Sequence, residues 1–387
     1  MESVMGMDII SHLHTLGHDL IRDLLAFLFV LSLVVFFHEL GHFLVARWCG
    51  VRILVFSIGF GPELAGFYDR YGTRWKISAI PLGGYVKFFG DEGAASTPDS
   101  GRLLQMTEKE RAESFFFQKV WKRVAIVAAG PVANFILAII IFAGIFMLYG
   151  MQTMSARVDD VQPDSPAAAA GFRPGDLVLS IDGQKISSFA DMQGIVADSA
   201  GETLKITVER DGGQVVLKAT PQLHEEKDIF GNVRRIGLLG IKRSPAPGDV
   251  KYEPVSPPRA VLLGVKETWL VVDKTLMYIG RVIIGREAAN QLGGPARIAQ
   301  MSGQVASISF AALVHFAAVL SVSIGLLNLF PIPLLDGGHL LFYSIEAMRG
   351  RPLSERAQEV GFRIGFAIVI MLMIFATFND IVHFAAS

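Results

Sequence analysis

His38, Glu39 and His42 stand inside an apolar run that extends from Leu24 to Ala46. At about 1.5 Å of rise per residue, a helix over this run spans roughly 34 Å, enough to cross a bilayer. Ionisable groups at that depth are costly and mark function by default. On a helix, His38 and His42 lie one turn apart with both rings on one face, placed to share one zinc ion. Glu39 then flanks the position of a metal-bound water, the place of a general base in a metalloprotease. The competing reading makes the histidines interhelical hydrogen-bonding residues and Glu39 a buried carboxylate in need of a cation. The nearest basic residue after Glu39 is Arg47, two turns on, which favours the metal.

Composition agrees with a membrane setting. The chain is 51% hydrophobic and only 18% charged, with 28 phenylalanines, and its apolar residues gather in runs of helix-spanning length. Four can be drawn: Leu24 to Ala46, Val124 to Tyr149, Phe310 to Tyr343 with an interruption, and Phe366 to Phe384. The fold class expected is a polytopic α-helical membrane protein with about four transmembrane helices. A net charge of -1 without a basic tract gives no sign of a nucleic-acid partner. Cys49 is the single cysteine, which excludes an internal disulfide and a thiolate metal cluster. Only Arg22 and mixed His, Asp and Glu residues precede the first run, without the basic start or small-residue cleavage site of a signal peptide, so the first helix is expected to be retained.

Between the first two runs, Val51 to Phe60 and Ile77 to Phe89 read as extended chain, since Pro81, Gly83 and Gly84 oppose a helix. Apolar backbone of this kind at membrane depth must be covered by protein or line a wet cavity, so a small hairpin sheet against the active-site helices is expected. Residues 154 to 222, or 154 to 241 where the strand-like Arg235 to Ile241 pairs with them, have the character of a water-soluble α+β module. Leu177 to Ile181 reads as a strand ending in an Asp182-Gly183 turn, and Leu204 to Glu209 and Val215 to Ala219 flank Asp211-Gly212-Gly213 as a hairpin. Residues 242 to 309 read as a linker, with prolines from Pro245 to Pro258, followed by a weakly amphipathic membrane-surface segment, Ala260 to Ile284. The domain plan is therefore an N-terminal membrane half at 20–150, the inserted module, this linker region, and a C-terminal membrane half at 310–384. Arg47, Arg52, Lys119, Lys122, Arg123, Arg349, Arg351, Arg356 and Arg363 mark one face of the membrane as cytoplasmic. Both termini and residues 150–309 then lie on the other face, with His38, Glu39 and His42 nearer the cytoplasmic end of their helix.

Two histidines leave a catalytic zinc one protein ligand short. The third apolar segment supplies Asp336 within Ile324 to Leu340, where Pro331, Pro333 and Gly337-Gly338 are expected to break the helix near the ion. Asp336 is the expected third ligand and His339, one turn on, the alternative. Asn134 and Asn328 are amides in apolar surroundings, each either an oxyanion or substrate-backbone donor or an interhelical polar pair. A substrate helix must unwind before hydrolysis, and an edge strand from Ile77 to Phe89 or from Val51 to Phe60 is a candidate to receive it by strand addition.

HELGH at 38–42, GPVAN at 130–134 and NLFPIPLLDGG at 328–338 occur in that order, accompanied by FSIGFGPEL at 56–64, IPLGGYVKFFGDE at 80–92 and GGPARIAQ at 293–300. Together they resemble the site-2 protease family of intramembrane zinc metalloproteases, specifically its bacterial regulator-of-sigma-E type, over nearly the whole chain. The resemblance implies His38, His42 and Asp336 as zinc ligands, Glu39 as catalytic base, and a membrane re-entrant β-loop over roughly 52–90. Residues 154–222, with GFRPGD at 171–176, resemble the PDZ module such proteases carry on the periplasmic side, here in a single copy. It further implies an inner-membrane location and substrates that are single-pass membrane proteins, such as anti-sigma factors already trimmed by an upstream site-1 protease, or remnant signal peptides. The output would be an envelope-stress or cell-cycle response. An inactive membrane scaffold and a metal-dependent transporter are the competing functions.

Overall fold

The computed structural model describes residues 2–91, 101, 105–227, 233–243, 250–284 and 293–386. The chain divides into two compact units, one of Met1–Ile145 with Val261–Ser387 and one of Phe146–Ala260.

The first unit is built on helices. Helix α1 (Glu2–Trp48) carries the HELGH motif, and α2 (Val120–Tyr149) follows the hairpin of β1 (Ile53–Tyr68) and β2 (Arg74–Phe88). After the inserted unit come α3 (Pro257–Ile283), α4 (Pro295–Ile308), α5 (Phe310–Asn328), α6 (Asp336–Arg349) and α7 (Glu355–Ala386). Among the described residues, four stretches are long and apolar enough to cross a membrane: Leu20–Trp48, Val120–Tyr149, Phe310–Asn328 and Arg356–Val382. The third expected segment is interrupted as its prolines require. Helix α5 stops at Asn328, and the chain passes through Pro331 and Pro333 with Leu334 at φ 97° before α6 begins. A leucine in that region is strained.

Small residues let α1 and α2 cross closely. A Cβ on Gly41 would fall onto the Ala129 carbonyl oxygen, and 2.7 Å from the Ala133 Cβ, so the two backbones meet in the manner favoured between membrane helices. The hairpin folds back on itself. Residues 53–58 of β1 pair with 84–88 of β2 on one side and lie beside 74–77 on the other, as Phe56 against both Val86 and Trp75 illustrates. Pro81 and Gly83 fall in the gap where pairing shifts from Phe60↔Ile80 to Ile58↔Gly84, a place where the missing proline N–H costs no ladder bond. Consequently 53–58 has both edges occupied and 84–88 lies at the sheet's margin. Phe56 stacks on Trp75 with ring centroids 4.3 Å apart, inside a core that includes Phe43, Val86, Phe88, Phe115, Ile126 and Val127. Arg47, at the end of α1, ties down the hairpin tip through Asp69 at 2.6 Å and Thr73 at 3.1 Å.

Most of 257–308, expected as linker and surface segment, is helix. The buried Asp380 carboxylate of α7 accepts from the backbone N–H groups of Gly294, Ala296 and Arg297, so the N-terminus of α4 is capped from a distant part of the chain. Such a cap leaves no local sequence signal.

In the second unit, β3 (Met151–Met154) precedes β4 (Asp160–Val161), β5 (Leu177–Ile181) and β6 (Gln184–Lys185). Beyond the helix Phe189–Asp198 follow β7 (Leu204–Arg210), β8 (Gly213–Ala219), β9 (Gln222–Lys227), β10 (Val233–Leu238), β11 (Ile241–Lys242) and β12 (Val250–Glu253). The largest sheet has the order β6-β5-β7-β8, and its core is Val158, Val178, Ile181, Ile206 and Val208. The turns at Asp182-Gly183 and Asp211-Gly212 both adopt positive φ, as the two-residue hairpin turn demands. Asp176 is buried and paired with Arg210 by two bonds of 2.7 Å. Burial raises its pKa, but these bonds and the Arg173 N–H outweigh that and hold it below the ordinary value. Strand β12 falls inside the expected linker and pairs with β3, while residues 244–249 of that linker lie outside the described residues.

Candidate metal centre

Helices α1, α2 and α6 build the centre. The i, i+4 spacing sets the His38 and His42 rings 4.9 Å apart, centroid to centroid, on one face of α1. Asp336 is the first residue of α6, placed there by the break that the two prolines force. Its Oδ2 lies 3.2 Å from His38 Nε2 and 3.5 Å from His42 Nε2, and the two Nε2 atoms are 3.3 Å apart. His38, His42 and Asp336 are the residues whose ligand atoms converge, all within 4.8 Å of one another. His339, the alternative ligand, is outside this cluster.

The donor set fits a metal ion. Asp336 Oδ2 is buried and makes no hydrogen bond among the described residues despite two nitrogens close by. It and the two ring nitrogens crowd together closely enough to share one ion. Room for that point comes from Gly130 on α2, where a Cβ would overlap His42 Nε2 and stand 2.9 Å from His38 Cε1. Two imidazoles and one carboxylate with a position left for water is the ligand pattern of a catalytic zinc site.

Each ring is also held from behind by α2. His42 Nδ1 donates to the Ile126 carbonyl at 2.8 Å, which fixes the proton on Nδ1 and leaves Nε2 for the metal. His38 Nδ1 is 3.3 Å from the Asn134 amide nitrogen. Asn134 is fully buried, and its backbone carbonyl accepts from Ser321 Oγ of α5 at 2.9 Å. Asn328, the second amide expected here, ends α5 half-buried, and its side chain makes no hydrogen bond among the described residues.

Glu39 sits against the hairpin. Its carboxylate accepts from the Val86 backbone N–H, and a Cβ on Gly84 would come within 3.1 Å of its Cγ. The β2 margin therefore runs beside the candidate base. A cavity of about 150 Å³ adjoins the centre, lined by His42, Asp336, His339, Val86, Phe88 and Tyr343 among others. Below it, Arg123 of α2 pairs with Glu346 of α6 at 2.5 Å and lies 4.8 Å from the Tyr343 ring centroid, tying the helix of Asp336 to the helix of Gly130.

Gly130, Gly84 and Arg123 were given no part in the centre by the sequence reading, which did not pair Arg123 with Glu346. Gly130 carried a signal, since it precedes Asn134 by one helical turn and must share its face toward α1. The other two depend on contacts between distant segments.

A set of membrane-length helices, one of which carries two histidines that meet an aspartate with a glutamate adjacent, defines a class, the intramembrane metallohydrolases. The model of Peptidase family M50 matches residues 26–372. A protein of Agrobacterium fabrum whose name assigns it to the zinc metalloproteases is 54% identical over 92% of this chain and 94% of its own length. One of Brucella suis named in the same way is 50% identical over 94% of this chain and 96% of its own. Metalloprotease MmpA of Caulobacter vibrioides is 43% identical over 92% of this chain and 95% of its own. The chain belongs to Peptidase family M50 and is a zinc-dependent intramembrane endopeptidase of the site-2 protease type.

Proposed function

We infer that the chain hydrolyses peptide bonds in or near the transmembrane segments of single-pass membrane proteins in a bacterial inner membrane. The observation that carries this reading is the convergence of His38 and His42 of a membrane-length helix with Asp336, and Glu39 beside them. Zinc held by those three residues supplies the Lewis acidity that acidifies a water and polarises the scissile carbonyl. Glu39 removes the water's proton and returns it to the leaving amine. The Ile126 carbonyl fixes the tautomer of His42 throughout. Arg123 and Glu346 hold α6, and with it Asp336, against α2.

An unwound substrate segment pairs along 84–88 of β2, the margin that borders Glu39, giving binding through backbone rather than sequence. Residues 53–58 do not serve, since both their edges are occupied. The hairpin forms a re-entrant β-loop. Its exposed Phe60, Leu64, Phe67, Ile77 and Ile80 suit an apolar setting. Residues 146–260 form a PDZ-like periplasmic module that admits or docks substrates trimmed by a site-1 protease. Anti-sigma factors and remnant signal peptides are the substrate classes that fit. The positive residues flanking the spans place both termini in the periplasm and the centre toward the cytoplasm, with α3 along the lipid surface.

The test is zinc-dependent cleavage of a purified transmembrane substrate in lipid nanodiscs. Wild type is expected to cleave and Glu39→Gln to retain zinc and fold without cleaving. Equal cleavage by Glu39→Gln would refute the role of the base, and metal-driven substrate accumulation without hydrolysis would mark a transporter. Membrane proteins that accumulate in cells carrying E39Q identify the native substrate.

A further inference from the structure

We propose that Asn134 is the positioning residue of His38, holding its imidazole in the tautomer that binds metal, and is not an oxyanion donor. This rests on the metal reading of the centre. His38 presents Nε2 to the point shared with His42 and Asp336. A neutral imidazole that ligates through Nε2 carries its proton on Nδ1, and a buried N–H needs an acceptor. The polar side chain at His38 Nδ1 is Asn134, 3.3 Å away through its amide.

With the amide nitrogen facing Nδ1, the ring proton belongs on Nε2, the atom that must be free for metal. The ligating form therefore requires the amide reversed, with Oδ1 accepting from Nδ1–H. Nothing on the far side opposes the turn, because Asn134 Oδ1 is buried without a hydrogen-bond partner among the described residues. Half a rotation about one side-chain bond converts the donor orientation of the amide into the acceptor orientation that the ligating ring requires.

Placement decides between this role and oxyanion stabilisation. Asn134 approaches the Nδ1 side of the ring, behind the metal point, and it is fully buried. A substrate carbonyl would have to displace His38 to reach it. The backbone of Asn134 is also anchored by α5, since its main-chain carbonyl accepts from the Ser321 hydroxyl, and a Cβ on Gly325 would stand 3.1 Å from the Asn134 Cβ. His38 and His42 are thus each oriented through Nδ1 by α2, one by an amide side chain and one by the Ile126 carbonyl.

The test measures zinc affinity of the full chain in detergent by competition with a chromophoric chelator. Asn134→Leu, close in volume and without polar atoms, is expected to bind zinc about 10- to 100-fold more weakly, with cleavage restored by excess zinc. Asn134→Asp, which only accepts, is expected to stay within about threefold of wild type, as the acceptor role requires. Wild-type affinity in N134L, or lost cleavage that excess zinc does not restore, would overturn the proposal. So would N134D failing as badly as N134L, which would mark a packing role. Should N134L not fold, Asn134→Ser, too short to reach the ring, carries the same comparison. Absence of zinc from wild type would instead overturn the metal reading, a separate result.

Discussion

Gly130→Ala puts one methyl group at the most crowded point of the centre. Its Cβ would overlap His42 Nε2, lie 2.6 Å from His42 Cε1 and 2.9 Å from His38 Cε1. Ordinary van der Waals contact begins near 3.4 Å, so the His42 ring must retreat by about 1 Å, or α1 and α2 must part by as much. Metal–ligand distances tolerate about 0.2 Å, so neither response leaves His42 as a ligand. Overpacking of this kind costs about 1–3 kcal/mol of stability. Zinc affinity is expected to fall at least about 100-fold, or about 2.7 kcal/mol, with cleavage falling in parallel. Gly144→Ala in the same helix is the control: a Cβ there meets nothing within 4 Å, and alanine favours the helix by about 1 kcal/mol. Chelator competition and thermal unfolding of both variants in detergent give the comparison. If G130A binds zinc as tightly as wild type, the glycine does not make room for the ligands and the packing argument fails.

The part-buried Arg123–Glu346 pair gives a second expectation. Arg123→Met alone leaves a part-buried carboxylate without its cation and should cost about 1–3 kcal/mol, whereas R123M with Glu346→Met should recover most of it; unfolding of the single and double variants checks this, and a double variant no better than the single one would contradict it. Asp69 at the hairpin tip gives a pH dependence. Burial raises its pKa, but the Arg47 hydrogen bond and those from Thr73, Trp75 and Tyr71 outweigh it and bring the value to about 2, below the ordinary 3.8. Its contribution to docking the hairpin is therefore complete above pH 3.8 and lost as pH falls toward 2. Fluorescence of Trp75, with the other three tryptophans replaced, should report that release at low pH, and Arg47→Met should move it upward. Finally, Val86→Pro removes the N–H that holds Glu39 and should lower cleavage while zinc binding stays intact; unchanged cleavage would separate the β2 margin from the base.

Much of the centre was legible in the sequence because its logic is local. HELGH puts two rings on one helical face by spacing alone, and Pro331 with Pro333 forecasts the break that delivers Asp336 to the start of α6. The turns at Asp182-Gly183 and Asp211-Gly212 were readable for the same reason. What sequence did not reveal is contact between distant segments. The doubling back of the hairpin, which closes both edges of 53–58 and leaves 84–88 at the margin, follows from register and not from alternation. Strand β12 was hidden among prolines because its partner β3 lies about a hundred residues earlier. Helix α4 lacks a local side-chain cap because Asp380 supplies one from α7. Asn134 was visible as a polar residue in an apolar run, but its role depends on which ring atom it meets.

Zinc content of the purified protein, measured beside His38→Ala, His42→Ala and Asp336→Ala, tests the central claim most directly. One zinc per wild-type chain, with each substitution removing both the metal and the cleavage of a transmembrane substrate, is the predicted result. A D336A protein that keeps its zinc and still cleaves would contradict it.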